Sequence, residues 1–412
     1  MIYFDNSATA PVDQEVYEAM LPYLQEEYGN PSSKYYCKAI NAKNAVEDAR
    51  EKVAKLINAK AEEIVFTAGA TESTNFIIKG YTDYEKYYGS GGNHIITSLA
   101  EHSATLNTCK YLNGEIYSND DPKTALFGAN KKVDRGFEVT FLGVDGSGKV
   151  STDEFKKAVK DSTILASFLY VNNEVGTVSD IVTISEICRA KKVALHVDVT
   201  QAIGKMKIDV DMFGQEIKNS RGFRVEEAIP LYMSFSAHKI YGPKGVGAAF
   251  LRNDEYGLRP ISAYMHGGEQ ENGIRGGTLA VHNIVGFGKA AEIATKSFES
   301  DIKKLHMLDE YLLHGIETLE ALKLTIPFED RLPGIVSVIV NKNDFNNERF
   351  IKQISDELAL STGSACSAGK PSYVLSAMGL DDKINKVLRI TISKYTSKED
   401  IDSLIKVLKM NL

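Results

Sequence analysis

Between residues 60 and 250 short apolar runs alternate with longer stretches whose apolar positions recur at helical spacing. Ile64 to Thr67, His94 to Ser98, Ile164 to Val171, Val193 to Asp198, Leu231 to Ser236 and Ala248 to Leu251 are predicted strands. Thr71 to Lys79, His102 to Leu112 and Ile181 to Lys191 are predicted helices between them. Apolar strands separated by helices predict an α/β fold with a mainly parallel sheet covered on both faces. Ligands in such sheets collect at the carboxyl ends of the strands, so the residues just after each run are the ones to weigh for chemistry. Further on, Ile335 to Val340 and Val387 to Ile392 read as strands, and Phe345 to Leu358 and Tyr373 to Leu380 as helices.

The junction after Leu231 to Ser236 stands out. Lys239 follows the run directly, and Gly242, Pro243, Gly245 and Gly247 then turn the chain into the next strand. A lysine withdrawn from water is available as a neutral amine that condenses with an aldehyde. Ser236 and His238 beside it suit an aldehyde that carries a phosphate. Gly69-Ala70-Thr71, between a strand and a helix, offers free backbone N–H groups and a hydroxyl to the same phosphate, although a capping threonine has the same look. His102 follows another strand and can lie flat on a heteroaromatic ring. Asn173 can donate to a ring oxygen. Asp198 ends an apolar strand, where a lone carboxylate is costly and calls for a cationic partner such as a protonated pyridine nitrogen. Gln201, three residues on, can reach the hydroxyl side of that ring. Val144 to Val150, ending near Glu154, resembles a calcium loop but puts Gly143 at the first ligand position, so a strand-joining turn is expected and no metal site.

Composition narrows the class. The chain of 412 residues is 43% hydrophobic and 25% charged, as in ordinary globular proteins. A net charge of −7 leaves no basic excess for nucleic acid. No apolar run reaches membrane-spanning length, and the start lacks a basic region with an apolar signal core. Cys37, Cys109, Cys188 and Cys366 are widely spaced, so disulfides are not expected and a cytoplasmic location is.

An aldehyde-binding lysine, an acid for a ring nitrogen, a flat histidine and a phosphate cup point together to pyridoxal phosphate. The chain resembles the NifS/IscS group of cysteine desulfurases, in the class V aminotransferase-like enzymes of fold type I. The likeness runs through Tyr3 to Pro11, Gly29 to Ser33, Gly69 to Ser73, Glu101-His102, Asn172 to Glu174, His196 to Asp198, the Lys239 stretch and Arg275 to Thr278. It implies a large domain at 15–303 with a seven-stranded, mainly parallel sheet, and a smaller α+β domain from 1–14 and 304–412. It also implies that Lys239 holds the cofactor and shuttles a proton, and that Ala70, Thr71, Ser236 and His238 form the phosphate cup. Thr278 is expected to reach that cup from the other subunit of a homodimer. Arg389 is expected to grip the carboxylate of L-cysteine.

Ser361 to Lys370 is a loop of small residues with no apolar surface to bury a thiol, and the sequence predicts it to be mobile. The resemblance makes its Cys366 the thiol that accepts sulfur as a persulfide and hands it to acceptors such as an iron–sulfur scaffold, whereas Cys109 and Cys188 read as buried hydrophobes. A selenocysteine lyase or another class V enzyme is the alternative, and would not need Cys366. The chain departs from the pattern in extra segments at about 112–137 and 211–227, in Tyr35 and Lys394, and in a short run from Cys366 to Pro371. These bear on the choice of acceptor and on the reach of the thiol.

Overall fold

A computed structural model of the chain describes residues 1–115, 133–215, 217–218, 224–363 and 371–412, with 217–218 and 224–226 described by their backbone. Its centre is a seven-stranded sheet in the order Ile64–Thr67, Gly247–Leu251, Leu231–Ser236, Ala194–Asp198, Thr163–Leu169, His94–Ser98, Glu138–Leu142. Only Gly247–Leu251 runs against its neighbours, pairing antiparallel on both sides, while every other neighbouring pair is parallel. Six strands stand where the apolar runs predict them. Glu138–Leu142 was not expected: it lies on the edge, and Glu138 and Thr140 interrupt its apolar positions, so it gives no continuous apolar signal.

Six of the seven strands are buried along their whole length. That follows from helices on both faces, which include Cys37–Lys55, Ala70–Tyr87, Ser103–Leu112 and Ile181–Lys191. The helix Ala70–Tyr87 runs two turns beyond its predicted end at Lys79, through Gly80, a weak helix former placed where a Cβ would come within 2.6 Å of the Ser262 carbonyl.

A three-stranded antiparallel sheet, Leu322–Leu324, Ile335–Val340 and Val387–Thr391, forms a second layer. Phe4, Val336, Val338, Leu388, Ile390 and Leu404 make a core of their own around it. The 37-residue helix Val281–Glu317 serves both cores: Ile284, Phe287 and Ala291 pack into the first, and Leu305, Leu308, Leu312 and Ile316 into the second. The expected boundary at 303 falls inside this helix. The stretch expected to be helical from Phe345 to Leu358 is helical only over Asn347–Gln353. It then turns, and Leu358–Ala359 pairs in parallel with Ile2–Tyr3, which brings the first residues of the chain beside Arg389.

Cys109 and Cys188 are fully buried, as their helical positions predict, and burial pushes both thiols up. The Asp145 to Lys149 stretch is a turn, with Asp145 Oδ1 accepting from the backbone N–H of Ser147 and of Lys149 at 2.9 Å each. Among the described residues no helix is long and apolar enough to cross a membrane.

Candidate active site

At the carboxyl ends of the central strands lies a cleft of about 970 Å³. Ala70, Thr71, His102, Asn173, Asp198, Gln201, Ser236, His238, Lys239 and Arg389 all line it. Thr278 is exposed and lies outside this lining in the single chain, and Cys366 lies outside the described residues.

The phosphate end is built from two strand ends. Gly69 precedes the helix Ala70–Tyr87 with φ of 153°, and a Cβ there would meet Ser236 Oγ at 3.3 Å. That close approach lets the Ala70 N–H donate to Ser236 Oγ at 2.7 Å. The same helix start is braced by Glu72, which accepts from the Ala68 N–H at 2.8 Å and from Arg275 Nε at 2.8 Å. His238 Nδ1 lies 3.2 Å from Thr9 Oγ1. Burial, then the charges of Lys239 and Lys244, push the His238 imidazole down to about 4, so it is neutral at physiological pH.

Asp198 is 3% exposed at the end of its strand, with Oδ1 accepting from the Thr200 N–H at 3.0 Å. His196, two residues back on the same face, is held between Ser167 Oγ at 2.8 Å and Ser234 Oγ at 3.0 Å, and burial pushes it down to about 4. A neutral imidazole under Asp198 leaves that carboxylate's charge for whatever stands above it. His102 caps the helix Ser103–Leu112, its Nδ1 accepting from the Ala104 N–H at 3.2 Å, which orients the ring.

Lys239 reaches back across the cleft to the first residues of the chain. Its amine donates to the carbonyls of Ser7 and, at 2.7 Å, of Ala8. Gln201 Nε2 donates to the same Ser7 carbonyl at 2.9 Å. Arg389 is 1% exposed, and its guanidinium donates to the Asn173 carbonyl at 2.7 Å, the Gly363 carbonyl at 3.0 Å and Asp5 Oδ1 at 2.6 Å.

Several participants carry no sequence signature of their own. The Ser7 and Ala8 carbonyls are backbone atoms more than 200 positions from Lys239, although the Tyr3 to Pro11 stretch is part of the family likeness. Glu174 is buried and accepts from Ser372 Oγ at 2.6 Å; burial pushes its carboxyl up, against the opposing effects of Ser372, Arg389 and His102. Burial, with the Asp198 charge adding, lifts Glu101 to about 8 even though Ser98 Oγ donates to it at 2.6 Å.

The model of the Aminotransferase class-V family matches residues 2–117 and 114–404. The chain belongs to the class-V aminotransferase family. Among class-V relatives, the cysteine desulfurase IscS of Neisseria meningitidis serogroup C (strain 053442) is 40% identical over 414 residues, spanning 100% of this chain and 92% of that protein. The cysteine desulfurase IscS of Klebsiella pneumoniae (strain 342) is 40% identical over 416 residues with the same coverage. Among solved structures, a NifS-like protein superposes with a TM-score of 0.81 at 33% identity, covering 99% of this chain and 98% of that one. A structure described as SspA in complex with cysteine has a TM-score of 0.75 at 31% identity, covering 96% and 100%.

Class-V aminotransferases are pyridoxal-phosphate enzymes, and the donor set here fits that cofactor. A helix start, a hydroxyl and an imidazole are grouped for the phosphate, and a buried carboxylate and a primary amine stand elsewhere on the same cleft wall.

Proposed function

We propose that the chain is a pyridoxal-phosphate-dependent cysteine desulfurase, converting L-cysteine to L-alanine and passing the sulfur to acceptors by way of a persulfide on Cys366. The observation that carries this reading is the meeting of Lys239, Asp198 and Arg389 in one cleft whose wall also includes Gly363.

The roles follow from position. Ala70, Thr71, Ser236 and His238 would hold the phosphate, Asp198 would pair with the ring nitrogen, His102 would cover the ring, and Asn173 and Gln201 would address its oxygen. When bound, pyridoxal phosphate supplies an electron sink that labilises bonds at the substrate's α-carbon and, through it, the bond from β-carbon to sulfur. Arg389, already fixed by two backbone carbonyls, presents its guanidinium to the substrate carboxylate, a planar two-point match that an ammonium lacks. Lys239 takes the α-proton, the Ser7 and Ala8 carbonyls marking where its amine rests. Cys366, as thiolate, attacks the substrate sulfur; the new S–S bond forms as the bond from sulfur to the β-carbon breaks with its electron pair left on carbon, the β-carbon takes a proton, and Lys239 returns a proton to the α-carbon to give alanine.

The proposal extends to a cytoplasmic homodimer in which Thr278 of one subunit completes the phosphate cup of the other. It extends also to an acceptor such as an iron–sulfur scaffold, and to domains at 15–303 and at 1–14 with 304–412. Separate clusters under the large and the small sheet support that division, with a further cluster joining Ala100 and Val175 to Val374, Leu375 and Val387 across it, and the exposed position of Thr278 supports the shared cup.

Replacing Cys366 by serine separates this reading from that of a selenocysteine lyase or another class V activity. Alanine production from L-cysteine with dithiothreitol should fall at least about a hundredfold while the cofactor's visible absorbance persists. Turnover at the wild-type rate would remove the persulfide route. Lys239→Ala should abolish the covalent cofactor band.

A further inference from the structure

A second lysine stands close behind the cleft, and the chemistry above makes no use of it. Lys205 follows Gln201 by four residues, in the turns after the strand Ala194–Asp198, and lines a small adjoining cavity of about 40 Å³ together with Lys239. Its amine donates to Gln201 Oε1 at 3.4 Å. Among the described residues it has no ion-paired carboxylate. Asp13 and Asp301 share the cavity but are engaged elsewhere, Asp13 by Lys394 Nζ at 2.8 Å and Tyr395 Oη at 2.7 Å, Asp301 by Ser297 Oγ at 2.6 Å. The other charged groups facing the cavity or the amine are cations: Lys239, Lys394 and Arg389. Burial, then the Arg389 charge, push the Lys205 ammonium down to about 8. A confined cation with no carboxylate bonded to it is unfavourable, and such groups cluster where function needs them.

The contacts run onward to the reactive amine. Because Lys205 has only donors, Gln201 must turn its oxygen toward it, which directs Nε2 to the Ser7 carbonyl at 2.9 Å. That carbonyl also accepts from Lys239 Nζ. Resting on the pyridoxal-phosphate reading, we propose that Lys205 is a positioning residue for Lys239. It orders the amine through the Gln201 amide and the Ser7 carbonyl, and its positive charge disfavours protonation of the nitrogen at the reaction centre.

The test titrates the visible absorbance of the pyridoxal-phosphate-loaded protein against pH in wild type, Lys205→Met and Lys205→Arg. Loss of the charge should move the midpoint of the Met variant upward by about half a pH unit or more, and the Arg variant should titrate near wild type. A purely structural lysine would lower thermal stability without moving the midpoint, and coincident midpoints in wild type and Lys205→Met overturn the proposal. A second measurement needs no cofactor. The folded-state value lies below the ordinary 10.5, so wild type carries a penalty that is full below about pH 8 and gone above about 10.5. The melting temperature of cofactor-free Lys205→Met, relative to wild type, should therefore be higher at about pH 7 than at about pH 10. A difference that does not change with pH overturns the proposal even if the Arg variant fails to fold. Absence of any visible band in wild type given pyridoxal phosphate would overturn the cofactor reading instead.

Discussion

Arg389→Lys tests the substrate-binding assignment most directly. In the wild type one guanidinium nitrogen serves two carbonyls, those of Asn173 and Gly363, while the other meets Asp5 at 2.6 Å. These partners lie on different nitrogens of a rigid fork, so a single ammonium on a shorter stem cannot keep all of them. Each lost hydrogen bond to a charged group is worth about 1.5–3 kcal/mol. Losing one, together with the planar match to the substrate carboxylate, places the cost near 3 kcal/mol. At about 1.4 kcal/mol per tenfold, that is a loss on the order of 10²-fold in kcat/KM for L-cysteine. The loss should sit mainly in KM, because the carboxylate is held equally before and during bond breaking. The assay is alanine formation over a range of L-cysteine concentrations, with the visible cofactor band as the check that the site is intact. A KM within about threefold of wild type, with the band unchanged, would refute the assignment and leave Arg389 as a structural tie between Asp5 and the Gly363 carbonyl.

His196 is neutral in the fold at about 4 against an ordinary 6.5, so its contribution to stability is complete above about pH 6.5 and is lost as pH falls toward 4. His196→Asn should therefore lose less stability than wild type between about pH 7 and pH 4.5, by on the order of 2–3 kcal/mol in urea unfolding; parallel losses would contradict the assignment. Asp309, 1% exposed, takes both ends of the Arg331 fork at 2.8 and 2.6 Å and the Gly334 N–H at 2.7 Å. Asp309→Ala leaves the arginine buried without its partner and should cost about 3–5 kcal/mol. A change in urea midpoint equivalent to less than about 1 kcal/mol would mean that water reaches the pair.

Legibility followed burial. Strands covered on both faces, such as Leu231–Ser236, announce themselves as apolar runs, whereas the edge strand Glu138–Leu142 is only partly covered, with Glu138 exposed, and has no such run. Side chains with rare chemistry at strand ends, Lys239 and Asp198 above all, were also legible, because an ionisable group at the end of an apolar run needs a reason. What could not be read is contact between distant backbone and side chain. Nothing in Ser7 or Ala8 as residues says that their carbonyls receive Lys239, since that depends on Ile2–Tyr3 pairing with Leu358–Ala359 across almost the whole chain. Glu101 and Glu174 likewise look like ordinary carboxylates until the fold closes over them.

That long-range pairing also explains why the site lies where it does. The first strand docks on the small sheet's side, with the Asp5 bridge to Thr391 and Asn6 Nδ2 donating to the Thr391 carbonyl at 2.8 Å, so residues 5–9 are carried by the second core. Lys239 and Asp198 are carried by the first core. Each group assigned to substrate thus faces a partner from the other unit: Lys239 meets Ser7 and Ala8, and Arg389 from the small sheet meets the Asn173 carbonyl from the large one. The hydrogen bonds that Lys239, Gln201 and Arg389 make across that junction therefore help set the distance between amine and guanidinium. Substitutions that loosen it, far from any reacting atom, should lower kcat without unfolding either core.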